Sequence, residues 1–314
     1  MPWRSGAASA ELRAARRDAV ARSIELIGRT RRAVYAAAAA ERRVALRRTV
    51  VEAAEASAAL ARALHAAGNV TELDRLREVL FEEDARLALR VAEAEAVAAR
   101  EELGAILGAG GGWRLADGVL DAAAPPVDAG ELEREAVAAN LEIAATAERL
   151  AAAGDHVAVA RLESFLPHLG AGVSADRDHD GWAVGPALSL SLPLFDWGTG
   201  RREAAWAEVR RQQQHAVAAE VEVRAAARAT RERLLAAEET VRGIRERLLP
   251  LREQLIDETL KQHNAMNLGA FELLLVKREQ IAIEERYIDA LRDAWNARTA
   301  AWELRAGARP REEH

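Results

Sequence analysis

The feature that most constrains this chain is the run from about Ser9 to Ala66, which keeps a helical pattern with no proline and one glycine, Gly28. A helix of that length cannot fit inside an ordinary globular domain. At 1.5 Å per residue, an arm of roughly 60 to 67 residues would extend about 90 to 100 Å. The pattern breaks at "AAGNVTEL" and resumes to about Leu107. Gly68 and Asn69 tolerate left-handed backbone and Thr71 can cap a new helix, so the sequence predicts a helix, a tight turn and a returning helix. In the returning segment Leu73, Leu76, Leu80, Leu87 and Val91 recur at spacings of three, four and seven, continued by Ala94 and Ala98, which reads as a coiled-coil seam.

A second such hairpin lies near the other end of the chain. Helical pattern runs from Gly200 to about Met266, with a kink expected at Pro250, breaks at "NLGAFEL" and continues to about Ala306. Aligning "GNVTELDRLRE" (68–78) with "GAFELLLVKRE" (269–279), glycine on glycine, gives an internal repeat with an offset of 201 residues, under which Leu103 also meets Leu304. Aromatic residues make up only 4% of the 314 residues, while alanine fills stretches such as "AVYAAAAAERR". Such a composition suits long helices packed closely over small side chains.

Between the hairpins, residues 108–128 carry five Gly and two Pro and read as a linker, followed by a shorter helix from about Gly130 to Ala153. Two candidate strands come next: about Val157 to Ala175, interrupted by Pro167 and Gly170, and Trp182 to Phe195. The second contains strict alternation, with Leu188, Leu190, Leu192 and Leu194 on one side and Ser189, Ser191 and Pro193 on the other. A leucine row suits lipid and a serine row a wet lumen, and Trp182 and Trp197 bracket the strand as interfacial anchors do. A lone hairpin cannot cross a membrane, because every backbone group in lipid needs a partner; neighbouring copies must close a barrel.

Several function classes are excluded or unsupported. Net charge is −6 with 30% charged residues of interspersed sign, so no basic nucleic-acid face stands out. Cysteine is absent, which removes disulfides, thiolate metal sites and cysteine nucleophiles. No apolar run reaches the ~18 to 20 residues of a transmembrane helix. The turn "DRDHDG" (176–181) matches the start of a calcium loop, but Ala187 stands where the bidentate Glu belongs and no helix flanks it. "GAGGGW" lacks the third glycine of a dinucleotide fingerprint. The seven histidines fall at no metal-ligand spacing, and no catalytic constellation is found, so the expectation is no enzyme activity, no cofactor and no metal.

The stretch "GPALSLSLPLFDWGTGRR" (185–202) resembles the strand-to-helix junction of TolC-type outer-membrane efflux proteins, in which a G-P-x-L-S-L-P-L-F-D-x-G run ends the second β-hairpin and starts a very long helix. "AGNVTELD" and "NLGAFELL" resemble that family's two hairpin tips, and "LPHLGAGVS" its incoming strand. The resemblance covers nearly the whole chain. It implies a mainly α fold of two long antiparallel coiled-coil hairpins with one β-hairpin contributing to a trimeric β-barrel. The corresponding divisions are 1–107 for the first helical hairpin, 108–155 for the linker and a short equatorial helix, 156–197 for the β-hairpin, and 198–314 for the second helical hairpin.

The same resemblance implies a homotrimer in the outer membrane of a Gram-negative bacterium, extending into the periplasm. It would act as a passive exit duct of an efflux or type I secretion system, docking on a periplasmic adaptor and an inner-membrane pump. Docking would fall on Gly68, Asn69, Val70 and Leu73 at one tip and Leu268, Gly269, Phe271 and Leu274 at the other. Val70 and Phe271 stand beside a glycine at a turn and fit either a contact that closes the turn or a surface for a partner's helical hairpin. The family has a β-hairpin in each half, whereas here the first half opens directly on the helix with no signal segment, so the expectation is a chain lacking its N-terminal signal and first β-hairpin. The alternatives are a soluble coiled-coil scaffold, with residues 157–197 as a small cap, and a periplasmic adaptor, against which the duplicated hairpin argues.

Overall fold

The structure is a computed structural model describing residues 2–122, 127–165, 168–178, 181–191 and 199–310. Its elements are α1 (Pro2–Ala66), α2 (Glu72–Leu107), α3 (Leu132–Ala139), α4 (Leu141–Phe165), β1 (His168–Asp178), β2 (Gly181–Ser191), α5 (Thr199–Gly243), a π-helical turn (Ile244–Leu248), α6 (Leu249–Asn264) and α7 (Ala270–Ala306). The chain divides into two compact units, residues 1–23 with 137–225, and residues 24–136 with 226–314.

In the first unit the start of α1 packs on α4 through small residues, Ala10 against Ala152. Ala153 and Val157 pack on Val209 of α5. Arg13 and Arg17 both reach Glu148, at 2.9 and 3.3 Å, and Arg149 pairs with Asp18. Strands β1 and β2 pair antiparallel, with Leu169 opposite Leu190, Ala171 opposite Leu188 and Arg177 opposite Trp182.

Two expectations are corrected here. Residues 157–165 are helix, the last turns of α4, because Val157 continues the apolar face of Ala152 and Ala153. The helix stops two residues before Pro167, whose ring disfavours helical backbone in the residue preceding it. The helix expected from Gly130 to Ala153 is split at Asn140, whose side-chain oxygen accepts the Ile143 N–H at 2.9 Å and so caps α4.

The second unit is built on an alanine seam. Ala33 and Ala37 meet Leu103, Ala40 and Val44 meet Ala92 and Ala96, and Val50 and Ala54 meet Ala85. Helix α7 adds larger side chains: Ile283, Tyr287, Ile288 and Leu291 form a cluster with Ala39, Leu120 and Ile244. Trp295 stacks on Tyr35 at 5.2 Å and donates its indole N–H to the Leu120 carbonyl at 3.0 Å, pinning the segment after α2. Between α5 and α6, Pro250 has no N–H and its ring collides with the carbonyl four residues back. The chain responds with the π turn, in which the Leu249 N–H reaches the Ile244 carbonyl five residues earlier.

The row expected to form the α1–α2 seam does not. Leu73, Leu76, Leu80, Leu87 and Val91 are exposed, Leu80 at 71%, while Glu78, Glu82, Ala85, Ala92, Ala96 and Leu103 are buried. Helix pairs that approach on alanine leave no room for leucine between them, so the larger side chains turn outward.

Candidate functional site

The two hairpin tips, 64–76 and 261–275, are built alike. At the first, the Gly68 N–H bonds the His65 carbonyl and the Asn69 N–H the Leu64 carbonyl, both at 2.9 Å. At the second, Met266 bonds His263 and Asn267 bonds Gln262, again both at 2.9 Å. In each tip a histidine ring closes the turn from inside: His65 Nδ1 lies 3.2 Å from the Val70 carbonyl and His263 Nδ1 3.0 Å from that of Leu268. The next helix in each case starts with an acidic cap, Asp74 accepting the Thr71 N–H at 3.3 Å and Glu272 accepting the Gly269 N–H at 3.1 Å.

These contacts fix the repeat at an offset of 198 at the tips, matching His65 with His263, Asn69 with Asn267 and Leu73 with Phe271. The glycine-on-glycine offset of 201 is therefore corrected. Gly68 occupies left-handed space with φ 77°, but its counterpart is Met266 at φ 60°, the one non-glycine residue with positive φ among the described residues. Gly269 sits instead in extended backbone as the cap of α7 (φ −72°). The signal was present in the sequence as "HAAGN" (65–69) and "HNAMN" (263–267), two H-x-A-x-N runs.

The expected docking residues thus fall into three situations. Gly68, Asn69 and Gly269 make the turns; Val70 and Leu268 are half-buried and lend their carbonyls to the histidines. Leu73 is 57% exposed and Met266, which sequence reasoning missed, is 94% exposed. Phe271 and Leu274 lie in the first turns of α7, their side chains outside the described ones. The rim is charged: Glu72 is held below the usual carboxylate range by its hydrogen bond to Arg75, with His65 adding to it. Asp74 is likewise lowered, chiefly by the Thr71 hydroxyl. A low, open apolar surface with a charged rim can hold a partner but offers no enclosed chemistry.

Directly behind the tips, the hairpins are tied by a buried carboxylate. Glu78 of α2 accepts from Ser57 of α1 and from Arg278 of α7, each at 2.5 Å. The Arg278 guanidinium lies 3.7 Å from the Phe81 ring centroid, which shields the pair. Both residues belong to the Arg-Glu pairs that drew the repeat alignment, but one member from each repeat pairs with the other. Glu82, also buried, takes Arg62 at 2.5 Å and Arg86 at 2.6 Å.

Of the expected lipid-facing strand, β2 contains Trp182, Leu188 and Leu190, while Leu192, Leu194 and Trp197 lie outside the described residues. Among the described residues no cluster could hold a metal ion, and no helix is long and apolar enough to cross a membrane.

No protein-family model and no curated protein matches the chain. Solved structures do. A membrane protein from Pseudomonas aeruginosa superposes with a TM-score of 0.74 at 22% identity, over 97% of this chain and 71% of that one. The open state of the Neisseria gonorrhoeae MtrE outer-membrane channel gives 0.73 at 20% identity, over 99% and 73%. The Campylobacter jejuni CmeC outer-membrane channel gives 0.71 at 14%, over 98% and 68%. The chain has the fold of these outer-membrane channels. The match takes in both halves of the chain.

Proposed function

We propose that this chain is a subunit of an outer-membrane efflux channel, a homotrimer through which solute passes without chemistry. The observation that carries this reading is the pair of like-built tips ending two antiparallel hairpins, in a fold shared with outer-membrane channels. In this reading residues 1–107 and 198–314 are the paired helical walls, and 108–155 is the belt between them. After α4 ends at Phe165, the hairpin of β1 and β2 supplies the strands of the barrel, with Leu188, Leu190, Leu192 and Leu194 toward lipid and Trp182 and Trp197 at its borders. The strands of three copies close the barrel that one hairpin cannot form.

The tips are the docking surface for a periplasmic adaptor, itself coupled to an inner-membrane pump. Leu73 and Met266 supply exposed apolar contact beside turns whose histidine clasps keep the backbone fixed. A fixed backbone lowers the ordering cost of binding. No residue performs catalysis; the duct's selectivity belongs to its partners.

Reconstitution tests the proposal. The purified chain is expected to require detergent, to run as a trimer by light scattering, and to give discrete conductance steps in a planar bilayer. A detergent-free compact monomer that leaves the bilayer silent would refute it.

A further inference from the structure

Away from the tips, the second unit contains an aromatic cavity. On α7, Arg298, Thr299, Trp302 and Arg305 follow Trp295 at three, four, seven and ten residues, which places them on one face of the helix. On α1, Arg31 and Tyr35 stand one turn apart. Beside Val127 these two faces line a cavity of about 270 Å³. Of the chain's seven tryptophans and two tyrosines, two and one meet here, in a unit otherwise seamed with alanine. Tyr35 and Trp295, stacked at 5.2 Å, form one wall, and the half-buried Trp302 forms another. A cavity of ~150 Å³ takes a benzene ring, so this one has room for a second ring.

The lining is also cationic. It holds Arg31, Arg298 and Arg305, and no carboxylate among the described residues. Two of the three are neutralised by groups outside it: Arg298 pairs with Glu238 at 2.5 Å and Arg305 with Glu135 at 2.7 Å. Arg31 is different. Its guanidinium lies over the Trp302 ring at 4.0 Å, and among the described residues it makes neither an ion pair nor a hydrogen bond. Glu303 feels its charge but is bonded to Arg32 at 2.8 Å. Burial pushes the Tyr35 hydroxyl up from its ordinary value against the pull of Arg31, so at neutral pH that ring supplies no anion. A half-buried cation among aromatic rings has lost part of its hydration, and an anion placed beside it interacts more strongly than on an open surface. A neighbouring cavity of about 450 Å³ shares Trp295 and Arg298 but sets Asp121, Glu238 and Glu246 against Arg242, Arg245 and Arg298, which leaves it balanced.

We infer that the smaller cavity is a binding site for a flat aromatic anion of one or two rings, a carboxylate or a sulfonate. The rings lie against Trp302 and the Tyr35–Trp295 stack, and the acid group takes the open donors of Arg31. The ligand joins α1 to α7 and stabilises their contact by mass action. The site is built by a single copy and goes beyond the channel proposal, resting on neither conduction nor assembly.

The test titrates 2-naphthoate into the purified full chain by calorimetry, with protein-free detergent solution as the blank. Saturable binding of one molecule per chain is expected, together with a rise in melting temperature. The neutral analogue 2-naphthylmethanol is expected to bind at least about tenfold more weakly, the loss of a hydrogen bond between charged groups. Arg31→Gln is expected to lose a similar factor for naphthoate, with circular dichroism confirming its fold, and Arg242→Gln, in the neighbouring cavity, to bind as the parent does. Equal affinity of the parent for naphthoate and the alcohol would overturn the inference, and that comparison stands even where a variant fails to fold. So would the absence of saturable heat, or a folded Arg31→Gln that binds naphthoate as the parent does. Binding by a chain that gives no conductance would sustain this site and sink the channel; conductance without binding would do the reverse.

Discussion

Gly28→Ala offers the sharpest test of how α1 and α7 approach. Replacing a mid-helix glycine by alanine normally stabilises by about 0.8–1.0 kcal/mol through helix propensity. Here the new methyl carbon would stand 1.7 Å from Oε1 and 2.3 Å from Cδ of Glu303, a fully buried side chain. Glu303 must swing away, and its other oxygen then loses Arg32 at 2.8 Å. Overpacking costs about 1–3 kcal/mol, and loss of a buried pair about 3–5 kcal/mol, reduced here because Arg32 retains 23% of its exposure. The two costs outweigh the propensity gain, for a net destabilisation of at least about 2 kcal/mol, read as a fall in the denaturant midpoint at fixed protein concentration and unchanged slope. In a Glu303→Ala background the clash is absent, and the same Gly28→Ala change is expected to stabilise by about 1 kcal/mol. A Gly28→Ala single variant more stable than the parent would refute the claimed close approach.

Other expectations rest on the same kinds of contact. Burial raises the Glu303 pKa above 4.5, with Arg32 opposing, so its proton is bound more tightly in the folded state. Its contribution is therefore fully present below about pH 4.5 and is lost as pH rises through the raised value; Glu303→Gln is expected to flatten that part of the stability-versus-pH curve, measured by urea titration. Thr71→Ala removes a cap bond of 3.2 Å to the Asp74 N–H and is expected to cost about 1 kcal/mol, with faster amide exchange confined to the start of α2. Arg278→Ala leaves Glu78 buried with only Ser57, for a loss of about 3 kcal/mol that Lys does not restore, since it lacks the planar face that lies on Phe81. Ala92→Leu, at 3% exposure, is expected to cost about 1–3 kcal/mol by forcing the seam apart, whereas Leu80→Ala should leave the stability of the isolated chain within ~0.5 kcal/mol, both read from thermal melts.

The hairpins, their turns and the strand alternation were legible because each is local: a proline-free run, a glycine beside an asparagine, a period of two. The tips show where this fails. Glycine at 269 drew the repeat alignment, yet Met266 takes the left-handed position, because the His263 clasp and the Asn267 bond hold a conformation whose strain a single residue tolerates. Residues 157–165 read as strand from valines and spacing, yet they finish α4, whose apolar face was already established upstream.

By itself the sequence determined that there are two antiparallel helical hairpins with capped turns, since helical period, capping and turn chemistry act over a few residues. Which face of α2 meets α1 was decided only in three dimensions. Leucine and alanine rows both had helical spacing, and the choice between them depends on how closely α1, α2 and α7 approach one another, a distance set by all three helices together. The pairing of Glu78 with Arg278, 200 residues apart, is of the same kind. A charge on a helix reads as a solvated face until the neighbouring helix arrives to bury it.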